Sequence, residues 1–377
     1  MSDQNNQTVT SDWENAAAER GPAVNFQRQS ESPYAGFERV QASQSEVHQR
    51  LKLAEELVNK GYHPVLLFGT RASGKSSLLA SLFYYLQSDP DSPAFSVRGE
   101  WIVPTDSVYG QAVADAATRF LNHVIDGFYD GKAAPRTEDE HPFYIPIVLR
   151  PNNGQAEIKF AFLESRGEWY QINRDSKDLF PALRDEVSDI YQNFPNPISV
   201  LLIAPYVMGE AYSDTQQPEW SKKEMKDSDT ALVGALQAYQ MARQHRELDK
   251  HLFILTKWDA HTRSIVDKEF VKPQRGKVSH LIYERFPKSW TLFQTMQVEE
   301  AQSMQYSAGV MSGDARVQTP HHLRPIMNRF PQMLWGWLYA NASGGQNLFL
   351  NIQNQDTGGR FTNPLASLMA WFRKLLT

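Results

Sequence analysis

The residues Gly69-Thr70-Arg71-Ala72-Ser73-Gly74-Lys75-Ser76, with Ser77 after them, have types and spacing suited to one chemistry, the holding of a chain of phosphates. Gly69 and Gly74 let the backbone curl so that successive N–H groups face an anion at the start of a helix. Lys75 would reach the outer phosphates, and the Ser76 hydroxyl would ligate magnesium (Mg2+). The flanks supply the elements that such a loop needs. Pro64-Val65-Leu66-Leu67-Phe68 reads as a buried parallel strand, and Leu78, Leu79, Leu82 and Phe83 continue beyond the loop as a helix. Strand, phosphate loop and helix stand in the required order, which implies nucleotide binding.

A loop of this kind must be set in a sheet, and the rest of the chain alternates as an α/β domain should. Residues 43–60 carry Val47, Leu51, Leu53, Ala54, Leu57 and Val58 at roughly helical spacing, with Gly61 as the stop. Residues 106–131 form a second amphipathic pattern through Val113, Ala117, Phe120, Leu121, Val124 and Phe128. Two strand-like runs, 143–150 and 157–163, are joined by Pro151-Asn152-Asn153-Gly154-Gln155. Asn153-Gly154 is a strong hairpin signal, so these two strands are expected to be antiparallel. Pro146 removes a ladder donor from the first of them, which is tolerated mainly on an edge strand. Beyond the hairpin the pattern predicts a helix at 180–193, a buried strand at 198–205, a polar insertion at 213–229 and a helix at 230–248. Strands follow at 251–256 and around 305–307, then a late helix at 323–340 with Phe330, Met333, Leu334, Trp337 and Leu338 on one side. There is no internal repeat.

Three further segments carry polar residues at strand ends. Phe160-Ala161-Phe162-Leu163-Glu164-Ser165-Arg166-Gly167-Glu168-Trp169 closes the hairpin. His251-Leu252-Phe253-Ile254-Leu255-Thr256-Lys257-Trp258-Asp259 is a strand ending in T-K-x-D, and Tyr306-Ser307-Ala308-Gly309 follows it. In this order, after the phosphate loop and an antiparallel hairpin, they resemble the P-loop GTPases of the Ras-like, translation-factor-related class over about residues 62–310. The G-E-W ending looks like the stress-protein and double-GTPase kinds found in bacteria.

The resemblance implies a role for each segment. Glu164 stands where the family has the aspartate of D-x-x-G, which holds magnesium through water. Gly167 would donate its N–H to the γ-phosphate, and Glu168 stands where many members position the attacking water. Thr256 would tie the base loop to the phosphate loop, and the stem of Lys257 would lie against the base. Asp259 would accept from the guanine ring N–H and its exocyclic amine. Adenine has an acceptor at the ring nitrogen and no amine at that edge, and a site built for such donors rejects a ligand lacking them by roughly 10⁴-fold. Ser307 and Ala308 match the family's S-A-[KG] loop, with the Ala308 N–H reaching the guanine carbonyl. The switch-one threonine that closes on magnesium has three candidates, Thr105, Thr118 and Thr137, of which Thr137 lies where the family usually has it. Arg71 and Arg166 are both placed to stabilise transition-state charge as arginines supplied in cis. The catalytic set is then Lys75, Glu168, Arg71 and Arg166, with GTP/GDP and Mg2+ bound.

The expected architecture is a P-loop α/β fold, a six-stranded mostly parallel sheet with one antiparallel edge strand (a Ras-like G domain), plus helical extensions. It spans 43–340, after a polar mobile leader at 1–42 and before a linker and amphipathic helix at 341–377. In that last helix Leu365, Leu368, Met369, Phe372, Leu375 and Leu376 form one stripe, suited to docking on the domain or to a protein partner's groove. Arg373 and Lys374 supply too few cations for more than peripheral membrane contact. A net charge of −5 on 377 residues gives no general attraction for nucleic acid, and zero cysteines exclude disulfides and thiolate chemistry, which fits a cytoplasmic protein. No run of about eighteen apolar residues exists to span a membrane. The function expected is a GTP-binding, GTP-hydrolysing switch of bacterial or phage type that signals to a protein partner, with homodimerisation across the nucleotide open to it. The alternatives are a pseudo-GTPase scaffold with little turnover and a P-loop ATPase.

Overall fold

The computed structural model describes residues 53–97, 101–102, 106, 108–129, 143–164, 193–208, 219–261, 275–296, 301–311, 320–321, 328–346 and 348–349. In chain order the elements are α1 (Leu53–Asn59), β1 (Tyr62–Phe68), α2 (Lys75–Ser88), β2 (Ala94–Val97), α3 (Val108–Tyr129), β3 (Phe143–Arg150), β4 (Ile158–Glu164) and β5 (Ser199–Pro205). They continue with α4 (Glu219–Ala242), β6 (Lys250–Thr256), a 3₁₀ turn (Trp258–Ala260), α5 (Arg275–Arg285), α6 (Pro287–Met296), β7 (Ser303–Gln305) and α7 (Arg329–Ala342). A separate two-residue ladder pairs β8 (Val310–Met311) with β9 (Pro320–His321).

Seven strands form the main sheet in the order β2-β3-β4-β1-β5-β6-β7. The parallel pairs are β4–β1, β1–β5, β5–β6 and β6–β7, and β3 runs antiparallel to both of its neighbours. The mostly parallel α/β sheet and its antiparallel hairpin are therefore as expected, with two linked differences: the antiparallel strand β3, expected at the edge, lies inside the sheet between β2 and β4, and the strand count is larger. The count is seven rather than six, because Ala94–Val97 adds a strand outside β3. Four residues of mixed polarity after Pro93 give too short a pattern to be seen in the sequence. Pairing with β2 ends at Ile147, so Pro146 sits where β3 has a described neighbour on one side alone.

Register fixes which side chains share a face, because successive residues of a strand point to opposite sides. His63↔Phe160 and Val65↔Phe162 lie on one face, together with Glu164. That face is covered by α2, α3 and α7: Phe162 meets Phe83 and Trp335, and Phe143, opposite Glu164, meets Phe120. Phe68↔Leu202 and Leu202↔Phe253 lie on the other face. There Phe68 meets Tyr239 of α4, and Phe253 packs on Trp290 and Phe293 of α6. The domain is thus three layers, with the central strands buried on both sides, as their near-continuous apolar sequences require.

Residues 213–229, read as a polar insertion, need correcting from Glu219 onward, where they form the first half of α4. Ser221, Met225, Ser228 and Asp229 are buried at helical spacing, while Lys222, Lys223, Glu224, Lys226 and Asp227 are exposed. Small and polar residues occupy the inward face, so apolar periodicity alone does not reveal it. Helices α5 and α6 also went unread. The leader, the 180–192 part of the expected helix, the start of the late helix and the C-terminal amphipathic stripe lie outside the described residues.

Candidate functional site

The polar segments meet at the C-terminal ends of the parallel strands, where loops of an open α/β sheet converge. Between β1 and α2 the chain turns through Ser73 N–H donating to Thr70 O at 3.2 Å, and α2 opens with Leu78 N–H donating to Gly74 O at 2.9 Å. Two glycines are required. A Cβ on Gly69 would lie 2.5 Å from Ser73 Oγ and 2.9 Å from Ile203 O, and Gly74 has φ +91° and sits against Thr256. Ala72 and Lys257 are the two non-glycine residues with positive φ among the described residues, and both belong to this site. Such conformations cost energy and persist where the surroundings dictate them.

Lys75 is buried, and its Nζ donates to Gly69 O at 2.8 Å, so its ammonium curls back over the loop. Thr70 is buried and 2.5 Å from Ser228 Oγ on α4. Among the described residues Ser73 Oγ, which is buried, has no hydrogen-bond partner, a polar atom inside the loop that a ligand oxygen would satisfy. Arg71 and Ala72 are exposed, and Ser76 and Ser77 are partly buried on the first turn of α2.

Glu164 ends β4 on the face covered by α2, which is why it finds Ser76: the Ser76 hydroxyl donates to Glu164 Oε1 at 3.1 Å. Glu164 is fully buried. A hydroxyl and a carboxylate oxygen side by side are hard donors of the kind a small divalent cation prefers, so the pair fits magnesium. No cluster of three His, Asp or Glu side chains able to hold a metal occurs among the described residues, so phosphate and water oxygens would complete the shell.

The base-loop residues gather at the end of β6. The Thr256 hydroxyl donates to Ser73 O at 2.5 Å, tying this strand to the phosphate loop. Lys257 takes φ 56° and opens the 3₁₀ turn that presents Asp259. The Ser307 hydroxyl donates to Asp259 Oδ1 at 3.0 Å, shared with Gly309 O at 2.9 Å. Burial pushes the Asp259 carboxyl up to about 6, while the Ser307 hydroxyl, its own backbone N–H and the Lys257 charge hold it down. It is therefore mostly ionised at neutral pH and able to accept. Ala308, partly buried, packs against the core beside it.

The structure brings together Gly69 through Ser77, Glu164, Thr256, Lys257, Asp259, Ser307 and Ala308. Thr118 lies within α3. Arg166, Gly167, Glu168, Thr105 and Thr137 lie outside the described residues. Sequence pattern does not reveal Ser228, which lies in a charged stretch that reads as a solvated insertion, or Tyr306, whose hydroxyl partner Ser81 is 225 residues away.

Fold and loop define a P-loop α/β protein. No family model matches the chain, and no curated protein does. Solved structures with a similar course include a dimerisation-deficient mutant of Toc33 from Arabidopsis thaliana, 12% identical, with TM-score 0.35, covering 80% of this chain and 93% of that one. A second is the signal recognition particle receptor SRb-GTP/SRX complex from Chaetomium thermophilum, 14% identical, with TM-score 0.36, covering 67% and 94%. The GTP-bound Ski7 GTPase-like domain of S. cerevisiae is 13% identical, with TM-score 0.28, and 43% of its length is covered against 66% of this chain. Superpositions this loose assign a role to no residue here.

Proposed function

We propose that this protein is a guanine-nucleotide-binding switch that hydrolyses GTP slowly. The observation that carries the reading is the Ser307–Asp259 contact at 3.0 Å, just beyond a strand tied to the phosphate loop through Thr256 and Ser73. A carboxylate so held presents acceptors to a base bearing a ring N–H and an amine together, which guanine has and adenine lacks. Lys75 exchanges the Gly69 carbonyl for phosphate oxygens, and the N–H groups of residues 70–77 cradle the phosphates. Ser76 and Glu164 hold magnesium, which neutralises phosphate charge when bound. Gly167 follows Glu164 and senses the γ-phosphate, Glu168 orients water, and Arg71 or Arg166 stabilises the charge that develops. With so little covalent work for the protein, positioning and electrostatics set the rate.

The output is a protein partner that recognises the GTP form, through the segment after Glu164 or through the apolar stripe at 365–376. The organisation into a leader at 1–42, a G domain at 43–340 and a tail at 341–377 belongs to the same reading. So do a bacterial or phage setting and a cytoplasmic location. Among the described residues no helix is long and apolar enough to cross a membrane.

Phosphate release from GTP and from ATP, in the wild type and in Lys75→Ala, tests the proposal. Slow GTP turnover that Lys75→Ala abolishes, with ATP untouched, is the expected result. Equal turnover of ATP would make this an ATPase, and GTP binding without turnover would make it a nucleotide-holding scaffold.

A further inference from the structure

Tyr306 is the point on which the separate nucleotide segments converge. Its N–H donates to Leu255 O at 2.8 Å, and its carbonyl accepts the Trp258 N–H at 3.2 Å. The residue after it, Ser307, holds the Asp259 carboxylate. The register Leu255↔Gln305 puts Tyr306 level with Thr256, on the face covered by α2 and α7. Its hydroxyl accordingly lies 2.6 Å from Ser81 Oγ on α2, and its ring lies 5.9 Å from that of Phe330 on α7. Because the Ser81 hydroxyl already donates to Leu78 O at 2.8 Å, the tyrosine is the donor and Ser81 Oγ the acceptor. Burial also pushes the phenol well above its ordinary range, so it keeps that proton.

We propose that Tyr306 is a specificity-positioning residue. By anchoring the Ser307 loop to the helix whose first turn carries Lys75 and Ser76, it fixes the offset between the phosphate site and Asp259, and so the discrimination of guanine from hypoxanthine. This rests on the guanine reading above. Thr256 and Tyr306 each tie the base loop to the phosphate loop or its helix, and they act on different atoms. Thr256 holds the end of β6 to Ser73, whereas Tyr306 holds the residue that aims the Asp259 carboxylate. Accepting two donors from one base edge needs both carboxylate oxygens in plane with that edge. A loosened Ser307 therefore costs the second hydrogen bond first.

Inosine diphosphate lacks the exocyclic amine, so the GDP:IDP affinity ratio reads that second bond. The experiment is calorimetric titration of both, with magnesium, into wild type and Tyr306→Phe, with inorganic tripolyphosphate as a probe of the phosphate half alone. The phenylalanine leaves Ser81 bonded to Leu78 O and strands no buried donor, so the fold persists. Tyr306→Phe should lower the GDP:IDP ratio on the order of five-fold, a partial weakening of the amine's bond to the carboxylate, with tripolyphosphate affinity unchanged. Ser81→Ala, which removes the acceptor from the other side, should lower the ratio alike and serves if Tyr306→Phe does not fold. An unchanged ratio, even with a lower Tm, would overturn the inference and leave the tyrosine a packing residue. Wild type that binds GDP and IDP equally would sink the guanine reading itself, and the inference with it.

Discussion

Asp249 and Asp259 are ten residues apart on either side of β6, and their surroundings differ sharply. Asp249, before the strand, accepts from the Ile198 N–H at 3.0 Å, from Arg243 Nε at 2.8 Å, from Arg243 Nη2 at 2.9 Å and from the Tyr239 hydroxyl. Arg243 gives two further donors to the carbonyls of Phe194 and Asn196, and both side chains of the pair are fully buried. Asp259, after the strand, has one side-chain donor among the described residues and stays partly exposed. A carboxylate surrounded by its own protein's donors is a structural clamp. One that is poorly solvated, pushed up to about 6 and still part-open is poised for a ligand's donors. The two ends of the sheet therefore divide the labour: the N-terminal end closes the fold, and the C-terminal end is left able to bind.

The sharpest way to break that contrast is Arg243→Ala. Removing one partner of a buried pair leaves an uncompensated charge, so urea denaturation should show a loss of about 3–5 kcal/mol. A loss near zero would mean that the clamp does not hold the fold. Asp259→Ala should behave oppositely. GDP affinity should drop on the order of 100-fold, because two bonds to a charged acceptor disappear, while Tm stays level or rises. Glu164→Gln comes next, with magnesium-dependent GDP affinity expected to weaken about ten-fold, as the charged acceptor beside Ser76 becomes neutral. A change equal with and without magnesium would remove Glu164 from the cation.

Acid titrates both ends, in opposite directions. Burial lowers His63 and His251 from 6.5 to about 4, so below pH 6.5 the unfolded chain binds protons that the folded one does not. Stability therefore falls as the pH drops from 6.5 toward 4. Asp259, raised from 3.8 to about 6, takes up a proton in the folded state between those values and offsets part of the loss. Two histidines against one carboxyl leave a net decline, so Tm should fall by a modest amount between pH 6.5 and 4.5. In Asp259→Ala the fall should be steeper below pH 6, and an identical slope would show that Asp259 titrates normally. GDP affinity should weaken over the same range, since a protonated Asp259 cannot accept from both donors.

Much of the C-terminal end was legible because its chemistry is local in sequence. The phosphate loop needs Gly69 and Gly74 at fixed spacing, and T-K-x-D sits at the end of an unmistakable apolar strand. That Ser307 and Ala308 belong to the base loop was readable from position alone, whereas the donation of the Ser307 hydroxyl to Asp259 was not. The N-terminal clamp was not legible, because Arg243, Asp249, Tyr239 and Phe194 come from different elements and match no local pattern. β2 was too short to announce itself. The first half of α4 was obscured because its inward face uses the polar residues Ser221, Ser228 and Asp229, two of which meet polar partners: Ser228 meets Thr70, and Asp229 caps α6 through the Lys288 and Ser289 N–H groups. Tyr306 belongs to the same category. Its partner Ser81 is 225 residues away in sequence, and only the register of β6 and β7 brings them together.

The most direct test of the proposed guanine site is calorimetric titration of the purified full chain with GDP and with ADP, magnesium present. Saturable GDP binding, with ADP weaker by roughly 10³-fold or more, is what the Ser307–Asp259 arrangement predicts. ADP binding as tight as GDP would contradict it, and would leave a phosphate loop that does not read the base.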